Sequence, residues 1–264
     1  MRTYKIACVG DNCIDYYDES SLAFPGGNPV NVAVYLKRLG AESAYLGAVG
    51  TDSFGDLLLR RLAEKKVDTS HVQRLPGATA LCHVSHVNGD RVLGDYDEGV
   101  MAEFQLREED YRFLRDFDLV ISGLWGHTEG SLSFIRSFGT SVAFDCAERP
   151  FDPVGQIALP HTDIAFFSDD VLSDEDLKKK ILAGSALGPK LVVATRGEKG
   201  SLAWNGSDFC SCSPAPCEVV DTMGAGDSFI AGFLLSYLRG ECISACMTAG
   251  AESAAVTIGY SGAW

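Results

Sequence analysis

The segment Asp221-Thr222-Met223-Gly224-Ala225-Gly226-Asp227 carries the sharpest chemical signal in the sequence. It joins a strand-like stretch, Glu218-Val219-Val220, to an amphipathic helix. Gly224 and Gly226 leave the backbone N–H groups open to an approaching group, and the positive end of the helix dipole favours a negatively charged one. The turn therefore predicts an anion site built from main-chain donors. Asp227, in the first helical turn, is placed to accept the proton of an attacking hydroxyl.

Glycine-rich helix starts also occur for packing alone, so a purely structural turn is the alternative for this segment. Two specific nucleotide-binding motifs are excluded by inspection. A dinucleotide fingerprint needs glycine where Phe229 stands, and no Gly-x-x-x-x-Gly-Lys-Ser/Thr occurs in the chain.

A second cluster of polar residues lies near the start of the chain. Gly10-Asp11-Asn12 follows the first predicted strand, at the edge where open α/β sheets bind ligands. The run from Pro25 to Asn31 then opens the first predicted helix. Asp11, Asn28 and Asn31 offer donors and acceptors suited to vicinal hydroxyls. The structural alternatives are an N-cap role for Asn28 before a proline and a solvated helix position for Asn31.

Short apolar runs alternate with helical patterns along most of the chain, and these elements must position the two clusters. Such alternation predicts βαβ units and an α/β fold, in which a mostly parallel sheet lies between layers of helices. The predicted strands are 4–9, 43–49, 118–122, 141–145, 163–167 and 190–195. The predicted helices are 29–39, 54–65, 108–117, 131–138, 173–182, 226–238 and 243–258.

Two segments, Tyr16 to Phe24 and Thr79 to Met101, break this alternation. The second alternates like a β-hairpin, with a turn signal at Asn88-Gly89. Together they predict a small sheet that projects over one edge of the main sheet as a lid, on a single domain spanning residues 1–264. Exposed edge strands in such a lid favour pairing into a homodimer.

Composition excludes several classes of protein. With 264 residues, 46% of them hydrophobic, the chain can bury a core and is neither a disordered segment nor a small disulfide scaffold. A net charge of −14 disfavours nucleic acid and membrane surfaces as partners, and no run approaches the roughly 18 apolar residues of a membrane span. Nine scattered cysteines, without zinc-site spacing, and the lack of an export signal predict a cytoplasmic location.

Three motifs occur in a characteristic order along the chain. They are Gly26-Gly27-Asn28-x-x-Asn31-Val32-Ala33, Gly47-x-Val49-Gly50-x-Asp52-x-Phe54-Gly55 and the segment from Asp221 to Asp227. On these motifs the chain resembles the ribokinase (PfkB) family of sugar kinases over essentially its whole length. The resemblance implies a ribokinase-like three-layer α/β/α sandwich with a small β lid.

The resemblance also implies an activity, ATP-dependent phosphorylation of a primary sugar hydroxyl, with Mg²⁺ and in some members a monovalent cation such as K⁺ near Asp221. The implied catalytic positions are Asp227 as the base and Gly224, Ala225 and Gly226 as an anion hole. The implied sugar-binding positions are Asp11, Gly27, Asn28, Asn31 and Asp227. The implied nucleotide-binding positions are Thr195, Gly197, Gly200, Gly224 and Gly226, although a plain turn between strands would also explain 195–200.

The metal site departs from the family pattern. Many members carry Asn-x-x-Glu near the metal, where this sequence has Ser168-Asp169-Asp170-Val171. No metal ligand is therefore predicted, and Mg²⁺ is expected to bind mainly through phosphates and water. Asp169 and Asp170 are candidate helpers, and a solvated helix start is the alternative for this acidic run.

Shorter strings, among them Gly10-Asp11-Asn12-Cys13 and Trp125-Gly126-His127, resemble family members that act on a glycated amino acid. Acidic residues of the predicted lid would pair with the ammonium groups of such a substrate, although a charged edge that resists aggregation is the alternative; they are Asp95, Asp97 and Glu98. Trp125 and His127 are expected either to line the pocket or, for the tryptophan, to lie in the core. A fructokinase, a nucleoside kinase and a non-catalytic sugar or nucleotide sensor on the same fold stay open as alternatives.

Overall fold

The computed structural model describes residues 2–87 and 90–264. Its strands are β1 Lys5–Val9, β2 Cys13–Tyr17, β3 Leu22–Gly26, β4 Glu42–Leu46, β5 Ala48–Gly50, β6 Gln73–Leu75, β7 Leu81–Val87, β8 Asp90–Asp97, β9 Leu119–Gly123, β10 Ser141–Asp145, β11 Ile164–Ser168, β12 Leu191–Thr195, β13 Ser201–Trp204 and β14 Phe209–Cys212. Its α-helices are α1 Asn28–Arg38, α2 Ser53–Glu64, α3 Glu108–Leu114, α4 Leu132–Arg136, α5 Pro153–Ala158, α6 Asp174–Ser185, α7 Ala225–Leu238 and α8 Ile243–Ile258.

An eight-stranded sheet forms the centre of the molecule, in the order β14-β13-β12-β11-β10-β9-β1-β4. The neighbouring pairs from β12 to β4 are parallel, whereas β13 and β14 are antiparallel additions at one edge. The six strands predicted from apolar runs are confirmed within one or two residues, apart from the end of 43–49, whose last residues fall in β5. The sequence prediction lacks β13, β14 and α5, which are only four to six residues long.

Alternate residues of the central strands face two separate hydrophobic clusters, as expected for a sheet covered on both sides. In β1, Ile6 and Cys8 belong to one cluster, and Ala7 and Val9 belong to the other. The first cluster contains buried residues of α1, α2, α7 and α8, and the second contains those of α3, α4, α5 and α6. The predicted three-layer α/β/α sandwich is therefore confirmed.

A four-stranded sheet in the order β3-β2-β7-β8 stands apart from the central sheet, and we call it the lid sheet. It confirms that the two irregular segments pair with each other, through the parallel strands β2 and β7. The first segment is longer than predicted, because β2 begins at Cys13 and β3 ends at Gly26. The predicted turn at Asn88-Gly89 lies outside the described residues.

The approach to α7 differs from the prediction. Residues Glu218-Val219-Val220 do not form a strand, and the side chains of Val219 and Val220 are 67% and 57% exposed. The physical reason is that β14 already ends the sheet, so the N–H of Val220 bonds instead to the carbonyl of Ile258 at 2.9 Å. Helix α7 begins at Ala225, one residue before the predicted start. Among the described residues, none of the helices combines the length and apolar composition needed to cross a bilayer.

Candidate active site

The polar clusters predicted from the sequence meet at one edge of the central sheet. Asp11 follows β1, Asp145 ends β10, Asn28 and Asn31 lie in the first turn of α1, and Asp227 lies in the first turn of α7. Because β1 and β10 are parallel members of one sheet, their carboxyl ends open at the same edge. The starts of α1 and α7, which the fold brings to the same edge from distant parts of the sequence, complete the site.

Hydrogen bonds join four of these side chains. The amide nitrogen of Asn28 donates to Asp145 Oδ2 at 2.8 Å and to Asp227 Oδ1 at 2.7 Å. The amide nitrogen of Asn31 donates to Asp227 Oδ2 at 2.7 Å. Both carboxylate oxygens of Asp227 therefore accept from an asparagine on the opposite helix, which fixes the orientation of the carboxylate.

The structural alternatives for the two asparagines are wrong. Gly27, not Asn28, occupies the N-cap position of α1, and this glycine has no side chain with which to cap the helix. A capping asparagine must offer its oxygen to the first backbone N–H groups, whereas Asn28 uses its amide nitrogen on two carboxylates. Asn31 is not solvated either, since its side chain is only 7% exposed.

Two buried oxygen atoms in this cluster have no protein donor among the described residues. They are Asp11 Oδ1 and Asn28 Oδ1. The other oxygen of Asp11 accepts from the N–H of Asn28 at 3.3 Å. Gly27 must be glycine, because its φ is +103° and a Cβ there would lie 2.6 Å from Asn12 Cα. An orphaned buried acceptor is costly, so this site suits a ligand that brings hydroxyl donors.

Burial dominates the electrostatics of the three carboxyl groups. It raises the pKa of Asp11 to about 6, against the opposing effect of backbone hydrogen bonds. Burial raises the pKa of Asp145 to about 7, with further help from the charge of Asp227. Burial also raises the pKa of Asp227 to about 6, and the hydrogen bonds donated by Asn31 and Asn28 limit this rise. Asp227 is thus ionised above neutral pH and is still more basic than an exposed aspartate.

We expect Asp11→Asn to stabilise the fold at pH 8 and to change it little at pH 4. The pKa of Asp11 rises from 3.8 to about 6 on folding. The free energy of unfolding of the wild type therefore falls as the pH increases through that range. An amide carries no charge to bury, and its NH₂ can occupy the position of the unpartnered Oδ1. The gain at pH 8 should be about 2 to 3 kcal/mol in the free energy of unfolding, measured by urea titration. An equal difference at both pH values would contradict this cause.

The glycine turn presents open backbone at the start of α7. Gly224 is the N-cap with a left-handed φ of +73°, and Ala225 and Gly226 are the first two helical residues. Apart from its chain neighbours and the backbone of its own helix, no atom of the described residues lies within 4 Å of the point where a Cβ of Gly226 would be. The N–H of Ala225 donates to the carbonyl of Thr222 at 3.2 Å, so the turn leaves room for an anion chiefly against the N–H groups of Gly224 and Gly226, next to Asp227.

Asp221, before this turn, ties it to the last residues of the sequence. Its Oδ1 accepts from Met223 N at 3.0 Å, and its Oδ2 accepts from Gly262 N at 2.9 Å. The prediction of a monovalent cation near Asp221 stays a prediction.

Three of the predicted nucleotide-binding residues, Thr195, Gly197 and Gly200, lie at or just after the end of β12. Thr195 and Gly197 line a cavity of about 390 Å³, together with Glu148, Ser168, Asp169, Asp170, Val171 and Leu172. Gly200 does not line it, and its Cβ would overlap the carbonyl of Cys212, so close packing of β13 and β14 explains that glycine. The site roles of Thr195 and Gly197 stay predictions.

Asp169 is already engaged by the protein. It forms a salt bridge of 2.7 Å with Lys180 and accepts from the N–H groups of Val171 and Leu172. Burial, the largest single effect, raises the pKa of Asp169, but the hydrogen bonds and charge of these partners together hold that pKa below its usual value. Within residues 2–87 and 90–264, no group of three or more metal-ligating side chains is present. The residues of this loop thus do not assemble a protein metal site.

The loop after β9 contacts the end of the lid sheet. His127 Nε2 lies 2.5 Å from Glu98 Oε1, which links the two parts. Trp125 is not a core residue, since it is 45% exposed and the guanidinium of Arg149 lies 5.7 Å from its ring centroid. Of the acidic lid residues, Glu98 pairs with this histidine, and Asp97 accepts from Gly99 N at 2.9 Å.

Sequence reasoning missed two residues of the site. Asp145 was detectable, because it ends a correctly predicted strand at the ligand-binding edge. The string Gly262-Ala263-Trp264 is part of the family resemblance, but it assigns no role to Trp264. The indole N–H of Trp264 donates to Asn31 Oδ1 at 2.8 Å, and only the folded chain brings these two residues together.

Comparison with known proteins decides the family. The pfkB family carbohydrate kinase model matches residues 5–264. The chain belongs to the pfkB family of carbohydrate kinases. It is 45% identical over 264 residues to fructoselysine 6-kinase from Shigella flexneri, covering 100% of both chains. It is 33% identical to a fructosamine kinase from Bacillus subtilis, covering 98% of this chain and 93% of the relative.

A solved structure confirms the fold class of this pfkB kinase. The structure of Arabidopsis thaliana ribokinase complexed with ribose and ATP aligns with a TM-score of 0.88 and 20% identity, covering 99% of this chain and 94% of that one. The chain is thus a phosphotransferase with a ribokinase-like fold. The family and its kinase relatives favour an enzyme over a non-catalytic sensor on the same fold.

Proposed function

We propose that this kinase transfers the γ-phosphoryl group of ATP to the 6-hydroxyl of fructoselysine. The observation that carries the proposal is the 45% identity to fructoselysine 6-kinase over the full length of both chains. The site geometry supports it, because the half-buried carboxylate of Asp227 stands beside the glycine turn at the ligand-binding edge of the sheet.

Asp227 is the proposed base. Its carboxylate, held by Asn28 and Asn31 at 2.7 Å each, accepts the proton of the attacking hydroxyl as the bond to phosphorus forms. A pKa of about 6 keeps the group ionised at neutral pH and above. The proposed anion hole, the N–H groups of Gly224, Ala225 and Gly226, stabilises the negative charge of the transferring group.

The proposed sugar contacts are Asp11, Gly27, Asn28 and Asn31, with Asp227 facing the reacting hydroxyl. Asp11 Oδ1 and Asn28 Oδ1 would accept hydrogen bonds from sugar hydroxyls, which removes their desolvation cost. The lid sheet would cover the sugar and exclude water from the transfer. ATP would lie along the cavity at Thr195 and Gly197 toward the glycine turn.

Mg²⁺ belongs to the proposal through the nucleotide and not through a protein ligand set. The carboxylate of Asp169 is neutralised by Lys180, and Val171 stands where many relatives carry glutamate. Bound to ATP phosphates and water, Mg²⁺ would supply charge neutralisation.

The charge of the site supports an amine-bearing substrate. Asp11, Asp145 and Asp227 meet at the sheet edge, and Glu98 lies at the end of the lid sheet. Fructoselysine carries ammonium groups, which an acidic site attracts, whereas free fructose carries none. The net charge of −14 argues against nucleic acid as a partner.

A substrate panel tests the proposal. With purified protein and an ADP-coupled assay, we expect kcat/KM for fructoselysine to exceed that for fructose, ribose or adenosine by about tenfold or more, the value of one charged contact. Asp227→Asn protein, prepared identically, controls for contaminating kinases. Equal or better turnover of free fructose would favour a fructokinase, and turnover of adenosine alone would favour a nucleoside kinase.

We also propose a homodimer formed through the lid sheet, in the cytoplasm. The lid sheet exposes Leu22, Phe24 and Tyr96, which are 54%, 47% and 46% accessible. A monomer by light scattering at assay concentration would reject the dimer. The described cysteines are all free thiols, which supports a reducing compartment.

A further inference from the structure

Trp264 contacts the candidate site through the side chain of Asn31. Its indole Nε1–H donates to Asn31 Oδ1 at 2.8 Å, and the amide nitrogen of Asn31 donates to Asp227 Oδ2 at 2.7 Å. Asn31 is 7% exposed, so water does not compete freely for its amide. The three residues form a directed chain from the end of the sequence to the carboxylate.

The direction of this chain follows from the chemistry of the indole. An indole nitrogen only donates, and an ionised carboxylate only accepts. A flipped Asn31 would place its NH₂ against the indole N–H and its oxygen against Asp227, so both contacts would become repulsive. Trp264 thus selects the amide orientation that gives Asp227 a donor.

The residues before Trp264 are anchored on two sides. The carbonyl of Ala263 accepts from the hydroxyl groups of Tyr35, on α1, and Tyr260. The N–H of Gly262 donates to Asp221, in the segment that leads to the glycine turn. These bonds hold the indole in register with both helices that form the site.

We propose that Trp264 is a positioning residue for the kinase reaction, whose indole N–H locks the Asn31 amide in the orientation that presents a donor to Asp227. The inference rests on the proposed role of Asp227 as base. Without the indole N–H, the Asn31 amide can rotate, and Asp227 then loses a hydrogen bond to its charged form.

The decisive variant is Trp264→Phe, which keeps an aromatic ring and removes the donor. We expect the acidic limb of the pH profile of kcat/KM to move up by about 1 pH unit, because a lost donor favours the protonated carboxyl, and kcat/KM at pH 6.5 to fall about threefold as a result. The deficit should shrink at pH 8.5. Lys65→Met is the matched control, since it removes only the exposed ammonium 5.7 Å from the same ring and should leave the limb in place.

A double-mutant cycle with Asn31→Ala separates positioning from general packing. If Trp264 acts through Asn31, Trp264→Phe should cost little further activity in the Asn31→Ala background. An unshifted pH limb, or an equal loss in both backgrounds, would overturn the inference. Either result alongside an inactive Asp227→Asn would leave the proposed base intact, whereas an active Asp227→Asn would overturn the proposed function itself.

Discussion

Asp227→Asn is expected to lower kcat by a factor on the order of 10² or more, the usual contribution of a positioned general base. The amide cannot accept the proton of the attacking hydroxyl at any accessible pH. Because the loss concerns a transition-state interaction, kcat should fall more than the KM for the sugar rises. Initial rates at saturating ATP, over a range of fructoselysine concentrations, measure both kcat and the KM for the sugar.

The fold of this variant should survive. Both oxygens of Asp227 accept from asparagine amides, so an amide in its place opposes one NH₂ to another. That loss is offset by removal of a buried charge, since burial raises the pKa of Asp227. A melting temperature within a few degrees of wild type would show that the variant is folded. Near-wild-type phosphorylation by the folded variant would refute the assignment of Asp227 as base.

The elements of the central sheet were predictable because they depend on local pattern. Continuous apolar runs rich in β-branched residues, such as Leu191–Thr195, are typical of strands covered on both faces, and the structure places this run in such a strand. The strands β13 and β14 escaped detection for the opposite reason, since short edge strands with mixed burial leave no periodic signal. The prediction of a strand at Glu218-Val219-Val220 was wrong, because a composition typical of strands does not ensure that a neighbouring strand is available for pairing.

The site was predictable as a set of positions and not as a network. Sequence and family resemblance identified Asp11, Asn28, Asn31 and Asp227, and the fold brings them to one edge. Their contacts depend on distant segments, as when Asn28 bonds residues 117 and 199 positions away. Which atom of an asparagine donates, and to which carboxylate, is set by these distant partners and has no local signature.

The two glycines of the turn before α7 make opposite predictions, which allows phosphate binding to be separated from folding. Gly224 has a φ of +73°, and a Cβ there would overlap the Tyr35 hydroxyl and lie 3.2 Å from the Cβ of Ala263. Gly224→Ala should therefore lower the free energy of unfolding by about 1 to 3 kcal/mol, the usual cost of such strain. Its loss of activity would follow from the damaged turn.

Gly226→Ala should keep the fold and lose the reaction. Gly226 is in α7 without a positive φ, and the space for a Cβ is open among the described residues, so alanine should stabilise the helix slightly. In the proposed site, that open space is where the transferring phosphoryl group would reach the backbone N–H donors. A methyl group there should reduce kcat/KM for ATP on the order of 10², comparable to loss of an oxyanion donor. Thermal melts and ATP titrations of both variants measure the effects on folding and on phosphate binding. Wild-type kinetics of Gly226→Ala would contradict the proposal that the phosphoryl group binds at this turn.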